Sequence, residues 1–269
     1  TAGSQTSGAY KTAVATISGS EPVILPASVF SSLSSTVHKT YFIFEGAAAG
    51  SGKLVPILMK GDQEIHKGSP VHLNLKTVRD MYSQARGTPF SGIDPPYDSF
   101  PQQPPPTPVT GFEDVTPENF AAPANETQQC VLFLHGWNVN DDRYKQQSDA
   151  AFKRLWLAGF KGRFAALRWP SNLAGEGAST VIQYFINIPA YFESEYRAFK
   201  YATAVKQYAD QWASQGFTVG MIGHSMGNVI ASEAKRQGAP GQYVLMNGAV
   251  SAGCYDESDT LTLNAAGQP

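Results

Sequence analysis

Residues 217–228 read Phe-Thr-Val-Gly-Met-Ile-Gly-His-Ser-Met-Gly-Asn, and this stretch decides the fold. Its first half, 217–222, is a mainly apolar run of strand length, whereas 228–236 has the pattern of a helix. Between them stands Gly223-His224-Ser225-Met226-Gly227, which puts the serine on a turn from a buried strand into a helix. Such a turn forces the serine into a strained backbone conformation that lifts Oγ clear of the chain. Flanking glycines are needed because side chains would collide with neighbouring backbone. The helix N-terminus behind the turn favours negative charge on a bound group. Ser225 is therefore the candidate nucleophile. The competing bland reading is a glycine-rich turn whose serine only caps the helix.

Upstream, Val131-Leu132-Phe133-Leu134 is a continuous apolar run, as expected of a strand covered on both faces. It ends in His135-Gly136-Trp137-Asn138. Asn140 or Asp141 can cap the helix that follows, with Tyr144, Ser148, Ala151 and Leu155 on one face and Gly159 as a stop. Residues 164–169 form the next expected strand, 194–216 a long helix, and 243–246 a further strand. This alternation predicts a mostly parallel sheet with helices on both faces.

The two motifs together resemble the α/β-hydrolase superfamily, in its serine esterase and lipase-like branches, over roughly 128–253. The resemblance implies that Ser225 is the nucleophile and that the backbone N–H of Met226 and that of Trp137, or of Asn138, form an oxyanion hole. Each such donor is worth on the order of 3 kcal/mol of transition-state stabilisation. On the same resemblance His135, Gly136, Asn138 and His224 support the site, His135 by orienting its loop, and no metal or organic cofactor is implied.

The family order is nucleophile, then acid, then histidine. None of His38, His66, His72, His135 and His224 follows Ser225, and Asp256, Glu257 and Asp259 come too soon after the 243–246 strand. The expectation is therefore a hydrolase core that lacks its C-terminal acid and histidine segment. A second chain or a homo-oligomer would be ways to supply it. The expected function is cleavage of carboxylic esters through an acyl-enzyme on Ser225. The alternative is a non-catalytic binding, structural or assembly protein of the same fold.

The preceding chain reads differently. Short β-rich runs separated by turn residues make 1–92 a smaller β-rich N-terminal module, with a hairpin at Gly61-Asp62-Gln63-Glu64 and a helical turn near Asp80. Prolines crowd 93–127, which reads as a linker because proline donates no backbone hydrogen bond. The hydrolase core is then 128–269. Gly46-Ala47-Ala48-Ala49-Gly50-Ser51-Gly52-Lys53 resembles a phosphate loop only superficially, since the glycine spacing is off and Leu54 replaces the hydroxyl residue. A flexible hairpin turn is expected there.

Composition narrows the partners. The 269 residues carry 20 basic and 22 acidic side chains, a net charge of −2, with no basic cluster, which argues against nucleic acid or an anionic membrane surface. A hydrophobic fraction of 42% suffices for a core. No apolar run is long enough for a transmembrane segment. Cys130 and Cys254 are either buried thiols or one bridge. Low charge and Ser/Thr-rich ends lean toward an extracytoplasmic or secreted protein, with the cytoplasm as the alternative. An uncharged aromatic stretch containing Tyr184, Phe185, Ile186, Tyr191 and Phe192 either lines a pocket for a small apolar ester or packs as an ordinary helix.

Overall fold

A computed structural model describes residues 17, 22–31, 33–36, 39–40, 42, 46, 48–87, 108–109, 111–171 and 180–250, with backbone alone for 180–190 and 192. His38, Cys254, Asp256, Glu257, Asp259 and, in the proline-rich stretch, residues 93–107 and 110 lie outside the described residues. The chain divides into two units, 1–47 and 48–269. In the first, a 3-10 turn spans Ala27–Phe30, and the Phe30 ring meets Phe42 edge-on at 6.1 Å.

The second unit begins with paired strands, consistent with the expected β-rich character of the early chain. β1 (Gly50–Leu54) pairs antiparallel with β4 (Val71–Leu75), and between them β2 (Ile57–Lys60) and β3 (Gln63–Lys67) form a hairpin about Gly61-Asp62. The stretch expected to be a flexible turn at Gly50-Ser51-Gly52-Lys53 is therefore strand. Its register, from Gly50 opposite Leu75 to Lys53 opposite His72, commits it to the ladder with β4. His66 and His72 are exposed on β3 and β4.

After a 3-10 turn at Val78–Met81 come β5 (Ser83–Gly87), β6 (Phe112–Asp114) and β7 (Gln129–Leu134). Then follow α1 (Asp141–Leu157), β8 (Arg163–Arg168), α2 (Thr180–Ser214), β9 (Thr218–His224), α3 (Gly227–Arg236) and β10 (Gln242–Met246). Six strands form one sheet in the order β10-β9-β7-β8-β5-β6. All neighbours are parallel except β6, which runs antiparallel on β5. β5 and β6 lie upstream of residue 128, so the sheet reaches back into segments that the sequence assigns to a module and a linker.

The apolar runs are explained by burial on both faces. Along β7, Leu132 and Leu134 point into one core with Ala165 and Leu167 of β8, Tyr201 and Val205 of α2, and Ile230 of α3. Phe133 points the other way, into a core with Phe164, Tyr144 and Phe152 of α1, and Tyr82. Alternate residues of one strand thus feed opposite cores, so α2 and α3 cover one face and α1 the other. Burial of a side chain such as Leu132 or Phe133 is worth about 1.5–3 kcal/mol. Cys130, on the same strand, is a buried free thiol, and burial pushes its pKa up to about 12. No described helix is long and apolar enough to cross a membrane.

Candidate functional site

Sheet topology creates the site. The chain leaves β7, forms β8 on one side of it, then crosses by α2 to form β9 on the other. The loops after β7 and β9 therefore lie side by side at the carboxyl edge, yet they lead to helices on opposite faces. A crevice opens where connections diverge in this way.

Ser225 sits at the tip of the β9–α3 turn with φ of +52°, a left-handed conformation unusual for a residue with a side chain. Holding a serine there costs on the order of 1–3 kcal/mol, which its surroundings must offset. Its N–H donates to Met246 O at 3.0 Å, and its carbonyl accepts from Asn228 N at 3.0 Å and Ala249 N at 3.2 Å. The residue is half-buried, and its hydroxyl makes no hydrogen bond to a described residue.

The glycines are demanded by close approach. A Cβ on Gly136 would lie 2.9 Å from Ser225 Cβ and 3.2 Å from His224 O, so the loop after β7 runs directly against the serine. A Cβ on Gly227 would come within 2.7 Å of His135 O. The first turn of α3 and the end of β7 are thus packed backbone to backbone.

Two amides at this junction are unused: neither Met226 N–H nor Trp137 N–H donates to a described residue. The amide of Asn138 is different. It donates to Ser171 O at 3.1 Å, which leaves Trp137 as the free donor of the pair considered from the sequence. Asn138 itself has φ of +53°. Its neighbour Val139 donates to Ser171 Oγ at 3.2 Å, so buried Ser171 holds two successive amides of the loop.

His135 is wholly buried, and both its ring nitrogens are occupied. Nε2 accepts from Trp169 N–H at 3.2 Å, which leaves the proton on Nδ1 to donate to Gly136 O at 2.9 Å. Its own carbonyl accepts from Trp169 Nε1 at 2.8 Å, and the two rings stack at 5.6 Å. Burial drives the His135 pKa down to about 3, so the ring is a neutral fixture of the loop. His224, the last residue of β9, is half-buried and lies opposite Met246 in register.

No family model and no curated protein matches this chain. The chemistry of the site therefore rests on its own groups.

The structure brings Ser225, Met226, His135, Gly136 and His224 together about the ends of β7 and β9, with Trp137 next in the loop. The Trp137 ring meets Tyr191 of α2 edge-on at 5.3 Å. One turn later, burial holds the half-buried Glu195 carboxyl above its usual range. Three participants escaped sequence reasoning: Trp169, Ser171 and Asn228. Trp169, which closes the strand expected at 164–169, is fully buried against His135. Asn228 offered one signal, an amide side chain directly after the glycine of the turn, where the helix otherwise presents its buried face.

Proposed function

We propose that the protein is a serine hydrolase of the α/β-hydrolase type that cleaves carboxylic esters. The observation that carries this reading is Ser225 at φ of +52°, its hydroxyl and the following Met226 amide uncommitted among the described residues, with the loop that carries the Trp137 amide packed against it through Gly136. Support also comes from the strand order, which sets the His-Gly loop and the serine turn on neighbouring parallel strands. In the reaction Ser225 Oγ attacks the carbonyl carbon, and the amides of Met226 and Trp137 hold the oxyanion. The serine proton passes to the departing alcohol, leaving an ester of Ser225. Water then adds to that ester, and its collapse releases the carboxylic acid and returns the proton to Oγ. The aromatic pair of Trp137 and Tyr191 favours small apolar esters.

One observation favours a second reading, a non-catalytic binding or assembly module. Among the described residues, no histidine ring is hydrogen-bonded to Ser225 Oγ, and the ring of His135 is already spent on Trp169 and Gly136. A fluorophosphonate probe separates the two. Labelling of the native protein at Ser225, abolished in Ser225→Ala, is the expected result. A native protein that stays unlabelled is a scaffold.

A further inference from the structure

The strained serine has to be held by something, and its neighbours identify the holder. Asn228, in the first turn of α3, is fully buried. Its Nδ2 donates to Ser225 O at 2.8 Å and to Met246 O at 3.1 Å. Its Oδ1 accepts from the hydroxyl of Tyr243 at 2.6 Å. Tyr243 lies on β10, three residues before Met246, so the amide joins the serine turn, the end of β9 and the end of β10.

Each part of this arrangement acts on the serine backbone. Met246 O receives both Ser225 N–H and Asn228 Nδ2, while Ser225 O receives Asn228 N, Asn228 Nδ2 and Ala249 N. Both peptide groups of Ser225 are thereby fixed, and fixing them sets φ. The Ser225 and Met246 carbonyls can only accept, so they select the amide orientation with nitrogen toward them, and the Tyr243 hydroxyl, donating to the oxygen on the other side, holds the amide in that orientation. The approach is tight enough to exclude a side chain at Gly223, whose Cβ would fall 2.7 Å from Asn228 Oδ1.

We infer that Asn228, oriented by Tyr243, is a positioning residue that holds Ser225 in its reactive backbone conformation. This rests on the reading of Ser225 as the nucleophile. Asn228 does not touch substrate; it acts through the Ser225 and Met246 carbonyls. A group that only stabilised the fold would change the melting temperature and leave the reactivity of the folded protein alone. A positioning group changes reactivity at constant fold.

The test uses the full-length protein with a fluorophosphonate probe, measuring the maximal rate of labelling separately from the half-saturating concentration. In that reaction Ser225 Oγ bonds to phosphorus, fluoride leaves, and the serine proton is released to solvent. Asn228→Ala is expected to lower the maximal rate by about tenfold or more, with the half-saturating concentration unchanged. Tyr243→Phe keeps the buried amide but frees its orientation, and is expected to give a smaller loss in the same direction. A crystal structure of either variant should show Ser225 leaving the positive-φ region. A folded Asn228→Ala protein that labels at the wild-type rate overturns the inference. If Asn228→Ala does not fold, a wild-type rate in Tyr243→Phe does the same. If the wild type itself is unlabelled, the hydrolase reading fails, and the inference is then decided by Ser225 φ in the Tyr243→Phe crystal: retention of the wild-type value overturns it, and relaxation supports it.

Discussion

Asn138, Ser225 and Asn247 are the non-glycine residues with positive φ among the described residues, and they follow β7, β9 and β10, three adjacent strands of one sheet. Local strain is concentrated where backbone, rather than side chains, makes the site. His135 shows how that backbone is supported. Its ordinary pKa of 6.5 falls to about 3 in the folded protein because burial penalises the charged ring. Between those values the unfolded chain takes up a proton that the folded chain refuses, so stability falls as pH drops through 6.5 toward 3 and is undiminished above 6.5. The slope contributed by this one ring approaches about 1.4 kcal/mol per pH unit. Urea unfolding at a series of pH values should show His135→Gln with a flatter acid limb than wild type, and identical limbs would mean that the ring is charged in the folded state. Much of the site was legible at this scale. Ser225, Gly136 and Gly227 stand out because close backbone contact tolerates few residue types. Asn228 and Trp169 did not stand out, because their roles depend on partners from Tyr243 and His135 that no local pattern links to them.

Elements buried on two faces announce themselves, and those that borrow their burial do not. β7, β8 and β9 are readable because each feeds apolar side chains to both cores. β5, Ser-Gln-Ala-Arg-Gly, has no large apolar residue, yet it pairs with β8 from Ser83 to Arg86 and is mostly buried. Its small side chains leave room for the Tyr201 ring, which lies directly on Gly87. Helix α1 is the opposite case, since its start is written in the chain. Asn140 caps it by accepting from Arg143 N–H at 2.9 Å, and Asp141 and Asp142 occupy the first turn, where the helix dipole favours negative charge. Asn140→Ala is expected to cost about 1 kcal/mol in thermal or urea unfolding, while Asn140→Asp should keep most of the cap. Equal losses in both variants would show that the amide has a role beyond the cap.

Across the whole molecule, the central position of β7 makes Cys130 a reporter of cooperative unfolding. The thiol is buried between two covered faces, with its pKa pushed up to about 12 by that burial. Thiolate is the reactive form, so maleimide has little to attack until the sheet opens. Site-resolved mass spectrometry should find Cys130 unmodified in native protein and labelled in step with global unfolding as urea is raised. Labelling ahead of unfolding would reveal a separate, easier opening of the sheet.

The bonds that hold Ser225 come from Asn228, Met246 and Ala249, all later in the chain. During synthesis, the serine turn emerges from the ribosome before the groups that set its geometry. The turn therefore has no fixed geometry on the nascent chain until Met246, at the end of β10, and Ala249 beyond it have docked against Ser225.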